Sequence, residues 1–293
     1  MSEKILINKN EELSIINIET NLASAAISLQ GAQVLQWKPV GKDAVIWVSN
    51  DAKYIKGKSV RGGIPLCWPW FGFHDTEASY PIHGFARTQP WELINTQEQS
   101  DGSISLSLKL VDDLANQKFW PFKAELAAIF TIGNTLKIQL TTKNIDHQPI
   151  VIGEALHTYF KVGDIDQVKI LGLDGCTYYD KVDEFKLKEQ VGYIHIDREV
   201  DRVYHHPANN GEATCIIDDQ SLNRRIHITK RGSQSTVVWN PWTEKSQRMG
   251  DMGNEGYRTM VCVETASALD DVVTIQPGET HSICVEYAVT NIS

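Results

Sequence analysis

The strongest constraint on the fold is a repeated pattern of short apolar segments in which side chains alternate with period two. Residues 103–110 show it most clearly, because Ile104, Leu106, Leu108 and Leu110 alternate with polar residues. Comparable segments recur along the chain with turn residues between them. They span residues 13–18, 25–29, 34–37, 44–48, 124–132, 136–142, 168–171, 214–217, 225–229, 236–239, 259–264 and 281–288. Each of these segments is predicted to be a strand.

Helical periodicity is scarce by comparison. Residues 112–118 and 243–248 could each form a turn or two, and Gly133-Asn134 predicts a tight hairpin between two of the strands. Many strands without alternating helices favour an all-β fold, a large antiparallel β-sandwich with few short helices. The 293 residues contain no internal repeat or linker-like segment, so we expect one domain spanning residues 1–293.

Charge and composition exclude several classes of partner. The net charge is −9 and there is no basic run, so nucleic acid is not expected to bind. No apolar stretch is long enough for a membrane span, and the N-terminus lacks the apolar core of a signal peptide. The five cysteines form no C-x-x-C pair, which predicts neither a zinc site nor a disulfide framework. We expect a cytoplasmic monomer that binds a small molecule.

Two polar residues interrupt apolar strands. His157 lies in a β-branched and aromatic run, 150–160, where alternation places it on one face with Gly153, Ala155 and Tyr159. Small neighbours leave room for a ligand, although a core histidine with both nitrogens hydrogen-bonded is the alternative. Glu264 interrupts the strand at 260–266, where an unpaired buried carboxylate would be very costly.

Two glycine-bearing loops carry arginines. Residues 61–72 begin with Arg61 and contain prolines and aromatics; such a loop could wall a sugar site or close one end of the core. Arg87 ends the stretch 83–87, which begins with His83. Together the arginines could bind an anion, because each charged hydrogen bond contributes about 1.5–3 kcal/mol. That outweighs the diffuse repulsion from the net charge, which salt screens beyond about 8 Å.

Two further segments are less distinctive. The mixed-charge stretch 197–204, which contains Asp201, has the composition of a solvated loop. Residues 238–242 and 249–253 resemble the first aromatic loop in composition and are predicted to border the same cavity as Glu264.

Six motifs in order resemble the glucose-6-phosphate 1-epimerases, which are hexose-6-phosphate mutarotases related to aldose 1-epimerase. The motifs are RGGIPLCWPWFG (61–72), HGFAR (83–87), LHTYF (156–160), DRVY (201–204), WNP (239–241) and VCVETA (261–266). The resemblance implies a galactose mutarotase-like β-sandwich that binds the sugar on a concave sheet face, with no cofactor or metal.

The resemblance also implies roles for individual residues. His157 would be the general acid and Glu264 the general base. Arg61, His83, Arg87 and Asp201 would bind a hexose phosphate, the two arginines holding the phosphate. Ile82 departs from relatives that carry a polar residue before the His-Gly pair, which affects the expected sugar preference.

Such a pair is sufficient for anomer interconversion. A base takes the proton of the C1 hydroxyl while an acid protonates the ring oxygen, and the roles reverse on closure. With ordinary pKa values, about 4.3 and 6.5, Glu264 would be ionised and His157 protonated or sharing a proton. Two alternatives remain: a non-catalytic carbohydrate-binding protein, and a glycosidase in which Asp201 or Asp251 is the second carboxylate.

Overall fold

The structure is a computed structural model that describes residues 4–111, 118–207, 209 and 211–292. Its regular structure is almost entirely β, and the helix α1 (Trp242–Arg248) confirms the prediction at 243–248. The strands are β1 (Ile5–Asn10), β2 (Leu13–Glu19), β3 (Ala23–Ser28), β4 (Gln33–Pro39), β5 (Leu66–Cys67), β6 (Trp91–Glu98), β7 (Ile104–Leu110), β8 (Ala124–Ile132), β9 (Leu136–Asn144), β10 (Ile150–Ile152), β11 (Glu154–Leu156), β12 (Tyr159–Lys161), β13 (Val168–Leu171), β14 (Thr177–Asp180), β15 (Lys186–Glu189), β16 (Ile194–His195), β17 (Val200–His205), β18 (Ala213–Asp219), β19 (Arg224–Arg231), β20 (Ser235–Asn240), β21 (Met260–Ser267), β22 (Val273–Ile275) and β23 (Thr280–Asn291).

Two large antiparallel sheets form the body of the fold. One has nine strands in the order β16-β13-β18-β19-β23-β9-β8-β7-β6. The other has eight, in the order β15-β14-β17-β20-β21-β11-β5, with β12 also paired to β21. Smaller sheets, β1-β2-β3-β4 and β10-β22, complete the fold. The predicted antiparallel β architecture is therefore confirmed.

The two large sheets face each other across the main core. Tyr287 of β23 makes an edge-on contact with Phe160 of β12, and its hydroxyl lies 2.6 Å from the Thr158 hydroxyl. Val261 and Val263 of β21 join the same core cluster. The sheets therefore pack as a sandwich, with alternate residues of β21 turned into its interior.

β21 is buried on both of its faces. All eight of its residues are buried, and two of those that turn away from the sandwich core, Met260 and Cys262, join a second apolar cluster with Tyr159 and Trp239. Glu264 belongs to this outward-facing set by alternation. A carboxylate on that face is consequently enclosed by side chains and loops.

Three local predictions are wrong in instructive ways. Residues 44–48 form only isolated bridges, Ile46 with Phe160 and Val48 with Gly62, because they pair with two different segments in turn. The run 150–160 is three short strands with a break at residues 157–158. The stretch 197–204, expected to be a solvated loop, mostly forms β17, which pairs with β14 and β20.

The remaining predictions fall into two groups. The hairpin at Gly133-Asn134 is confirmed, with residues 133–135 joining β8 to β9. Most of the predicted helix at 112–118 lies outside the described residues. Where the structure is described, no helix is long and apolar enough to cross a membrane.

Candidate active site

The strand break at residues 157–158 places His157 beside Glu264. β11 and β12 both pair with β21, at Leu156 with Thr265 and at Tyr159 with Cys262, so the break lies opposite the middle of β21. His157 Nδ1 lies 3.4 Å from Glu264 Oε1, and the two side chains are 10% and 1% exposed. Two residues far apart in the sequence thus meet on the outward face of the eight-stranded sheet.

Backbone hydrogen bonds from the 61–72 loop hold the break in place. The His157 N–H donates to the Pro65 carbonyl and the Tyr159 N–H to the Gly63 carbonyl, both at 3.0 Å. These bonds replace the ladder that a continuous strand would form. The 61–72 loop, which was predicted to wall the site, therefore also fixes the backbone position of His157.

Aromatic neighbours fix the His157 ring. It stacks on Tyr159, with centroids 4.9 Å apart and planes at 10°, and meets Trp239 edge-on at 6.0 Å. Its Nδ1 is buried and has no hydrogen-bond partner among the residues that the structure describes. That contradicts the alternative of a core histidine with both nitrogens hydrogen-bonded.

The expectation of ordinary pKa values in this pair is wrong, because both groups are buried. Burial raises the pKa of Glu264 well above its usual value, and the Asp201 charge raises it further. Burial lowers the pKa of His157 to about 3, and the Arg87 and Arg61 charges add to that effect. At neutral pH the His157 imidazole is therefore neutral, and the Glu264 carboxyl group holds its proton to a higher pH than a solvent-exposed glutamate does.

Arg61 lies in the site with its charge already compensated. Its Nε is 3.0 Å from Asp251 Oδ1, and its Nη1 donates to the Tyr159 hydroxyl at 3.1 Å. The two following glycines have φ angles of 109° and 69°, and a Cβ on either would overlap backbone oxygen. Glycine at these two positions therefore allows the loop to approach its neighbours closely.

His83 lies beside His157 as a neutral ring. Its Nδ1 accepts from the Gly72 N–H at 3.2 Å, so the proton of the neutral ring lies on Nε2. Burial lowers the pKa of His83 well below its usual range, which keeps the ring neutral. Its centroid lies 5.5 Å from that of His157 and 4.7 Å from that of Phe71.

Arg87 differs from Arg61 in its partners. Its Nη2 donates to the Ile82 carbonyl at 2.8 Å, and among residues 4–111, 118–207 and 211–292 no carboxylate lies within ion-pair distance of it. The contact uses the backbone of Ile82, whose side chain is exposed. Arg87 therefore retains an uncompensated positive charge close enough to affect the pKa of His157 and of Glu264.

Asp201 lies in β17 opposite Trp239, which in turn pairs with Cys262. Its Oδ1 is 2.9 Å from Lys181 Nζ, just beyond β14. Lys181 lowers the pKa of His157 and of Glu264, so this cation belongs to the site. Sequence analysis missed it because residues 180–188 have the alternating charges of a solvated turn.

The aromatic segment 238–242, which spans the end of β20 and the start of α1, lies in two environments. Trp239 contacts His157, and Asp251 of the 249–253 segment pairs with Arg61, as the predicted common border requires. Trp242 belongs to α1 and packs on Tyr257, with centroids 5.2 Å apart, against the main core. The prediction for the Trp239–Trp242 loop is therefore correct only for its first part.

Comparison with known proteins shows the family of the chain. The aldose 1-epimerase family matches residues 14–288. An Escherichia coli K12 protein named "Putative glucose-6-phosphate 1-epimerase" is 40% identical over 263 residues, covering 89% of this chain and 85% of its own. A Salmonella typhimurium protein of the same name is 39% identical over 281 residues, covering 94% and 91%.

Solved structures support the same relationship. The crystal structure of a "putative mutarotase" from Salmonella typhimurium superposes with a TM-score of 0.92 at 35% identity, covering 99% of this chain and 95% of its own. A galactose mutarotase related enzyme from Lactobacillus acidophilus, at 15% identity, shares the fold with a TM-score of 0.72. The fold is thus galactose mutarotase-like, and the chain belongs to the aldose 1-epimerase family of mutarotases.

Proposed function

We propose that the protein interconverts the α and β anomers of a hexose 6-phosphate, with glucose 6-phosphate as the preferred substrate. The single observation that carries the proposal is the His157–Glu264 pair, 3.4 Å apart on an enclosed sheet face. The printed names of the relatives, and the uncompensated charge of Arg87 near the pair, support a phosphorylated sugar.

In the proposed mechanism, His157 and Glu264 together carry one proton. Glu264, as general base, takes the proton of the C1 hydroxyl, while His157, as general acid, protonates the ring oxygen. A neutral imidazole with a protonated carboxyl and an imidazolium with a carboxylate differ only by a proton transfer within the pair. Substrate binding that favours the second arrangement prepares both residues for their roles at once.

The other side chains have supporting roles in this proposal. Arg87 and Arg61 bind the phosphate, the former through an unpaired guanidinium. His83 donates from Nε2 to a sugar oxygen, and Asp201 accepts from a sugar hydroxyl. The aldehyde then turns about the C1–C2 bond, and the ring closes on its other face with the proton roles reversed.

Two substitutions test the pair. We expect Glu264→Gln and His157→Asn each to lower kcat by at least about 10²-fold, because a positioned acid or base contributes about 10²–10⁴ in rate. Anomer exchange of glucose 6-phosphate is measured by NMR exchange spectroscopy. Glu154→Gln is the matched control, a buried glutamate on β11 outside the proposed site. Near-normal turnover in either test variant would remove the assignment.

The same preparations separate the alternatives. A carbohydrate-binding protein would bind the sugar without accelerating exchange. A glycosidase would release reducing sugar from a glycoside, with Asp201 as the second carboxylate. In the structure, Asp201 is engaged by Lys181, which favours substrate binding over that second role.

A further inference from the structure

A buried thiol completes a three-donor cluster with the His157–Glu264 pair. Cys262 is fully buried and lies two residues before Glu264 on β21, on the same face of the strand. One ligand atom each from His157, Cys262 and Glu264 lies within 4.8 Å of the others. Imidazole nitrogen, sulfur and carboxylate oxygen therefore converge on one point.

The spacing is close to that of a tetrahedral metal site. Bonds of about 2.0–2.3 Å to zinc place neighbouring donors about 3.5 Å apart. His157 Nδ1 and Glu264 Oε1 already lie at 3.4 Å. Since no separation exceeds 4.8 Å, a shift of about 1 Å brings the third donor into range.

Unpartnered polar atoms point to a ligand at this place. His157 Nδ1 and Glu264 Oε2 are both buried without a hydrogen-bond partner in the described parts of the chain. Buried polar atoms are nearly always satisfied, so each such atom calls for an explanation. A bound cation would satisfy both of them.

The donor set selects the class of cation. Thiolate and imidazole favour zinc-like transition metals, whereas Mg²⁺ and Ca²⁺ prefer oxygen ligands. Bound to a thiolate, a carboxylate and a neutral imidazole, Zn²⁺ forms an assembly with no net charge. Arg61, Arg87 and Lys181 nearby therefore oppose it less than they would an unneutralised cation.

We propose that His157, Cys262 and Glu264 form a reversible inhibitory site for Zn²⁺. The ion would occupy the atoms that the proposed function uses to move protons, so that bound metal and turnover exclude each other. Binding replaces the thiol proton of Cys262 and the proton that the Glu264 carboxyl group carries, and both leave to solvent. Metal binding itself does not depend on the proposed function, because it requires only the three side chains.

The sequence contains no motif for such a site. Two ligands come from β21 and the third from the break before β12, so the spacing that identifies zinc sites in sequences is absent. The expectation of no zinc site from cysteine spacing considered only neighbouring cysteines, and this proposal departs from it.

Cobalt provides a direct test. Titration of the whole protein with Co²⁺ should produce a near-ultraviolet thiolate-to-metal charge-transfer band at one equivalent, displaced by Zn²⁺. Cys262→Ser should abolish the band, with Cys262→Ala as a second variant if the first folds poorly. The matched control is Cys215→Ser, another buried cysteine, whose sulfur lies 3.8 Å from His206 Nδ1.

Activity provides a second readout. Zn²⁺ should inhibit anomer exchange reversibly on chelation, and Cys262→Ser should raise the inhibitory concentration at least about 100-fold, since even residues that only support a ligand contribute 10–100-fold to affinity. A missing band in the wild type, a band lost in Cys215→Ser instead, or equal inhibition of both proteins would overturn the proposal. If Co²⁺ binds through Cys262 but the protein has no exchange activity, the metal site stands and the proposed function fails.

Discussion

Arg61 and Arg87 lie in the same site but contribute different net charge. Asp251 offsets Arg61, whereas Arg87 donates only to a backbone carbonyl. A phosphate dianion is attracted by uncompensated charge, and bringing it beside Arg61 also brings it near Asp251. The sequence presents the two arginines as equivalent; the structure makes Arg87 the stronger candidate.

We therefore predict that Arg87→Gln lowers kcat/KM for glucose 6-phosphate by about 10- to 100-fold, the effect of one charged hydrogen bond. The loss with free glucose should be much smaller. Arg61→Gln should discriminate less between the two sugars. The test is to measure anomer exchange of both sugars with each variant. If Arg87→Gln lowers kcat/KM equally for both sugars, Arg87 does not bind the phosphate.

At the scale of elements, the β19–β20 hairpin contains a buried lysine. Lys230 is 2% exposed, and its Nζ donates to the Ser235 carbonyl at 2.7 Å and to the Ser233 carbonyl at 3.3 Å. Burial lowers the pKa of Lys230 to about 8 from 10.5. No carboxylate within ion-pair distance in the described chain offsets that burial.

Between pH 8 and 10.5 the unfolded chain binds more protons at this position than the folded protein. The Lys230 contribution to the free energy of unfolding therefore rises with pH across that window, by at most about 3 kcal/mol. We predict that Lys230→Met removes this rise, and that Lys9→Met, at an exposed position, does not. Urea unfolding at several pH values between 8 and 10.5 gives the free energy of unfolding of each variant relative to the wild type. The same slope in Lys230→Met and wild type would contradict the prediction.

The strands themselves could be read from the sequence where one face is buried and the other polar, as in β7 and β9. The alternation of side chains does not predict β17, because the charged residues of this strand indicate a solvent-exposed loop. In the structure Arg202 lies over the Tyr178 ring, 4.9 Å from its centroid. The alternation also fails at residues 44–48, whose apolar pattern reflects burial between two partners rather than a ladder. Local alternation reports burial, and pairing depends on partners that the local sequence does not contain.

The site was predictable only in part for the same reason. His157 and Glu264 were recognisable as polar interruptions of apolar strands, and the arginines from their glycine-bearing loops. Lys181 and the Asp251–Arg61 pair were not, since single charges in polar turns are common. The directions of the pKa shifts of His157 and Glu264 could not be predicted from the sequence, because they depend on how deeply each side chain is buried.

At the scale of the molecule, a buried contact between Glu154 and His281 joins the two large sheets. Glu154 of β11 is fully buried, and its Oε1 lies 3.1 Å from Nε2 of His281 on β23. Burial raises the pKa of Glu154, while the contact with His281 opposes that rise. The pair consequently links the sheet that carries the site to the sheet behind it.

We predict that His281→Ala lowers the free energy of unfolding by about 1–3 kcal/mol at neutral pH, because it leaves the buried carboxyl group of Glu154 without its partner. The loss should shrink as pH falls through the raised pKa of Glu154, below which that carboxyl is neutral in the folded state. Glu154→Gln in the same background should recover part of it. If the loss of unfolding free energy depends neither on pH nor on the residue at position 154, it arises from lost packing of His281 and the prediction is wrong.

The enclosure of β21 on both faces makes this strand a rigid part of the fold. A strand so covered should exchange its amide protons with deuterium more slowly than the loops around it, which mass spectrometry can follow. In the proposed reaction, Glu264 then stays in place while the hexose ring opens, rotates about the C1–C2 bond and recloses. The moving part of that cycle is the substrate, and the sheet provides a rigid frame for it.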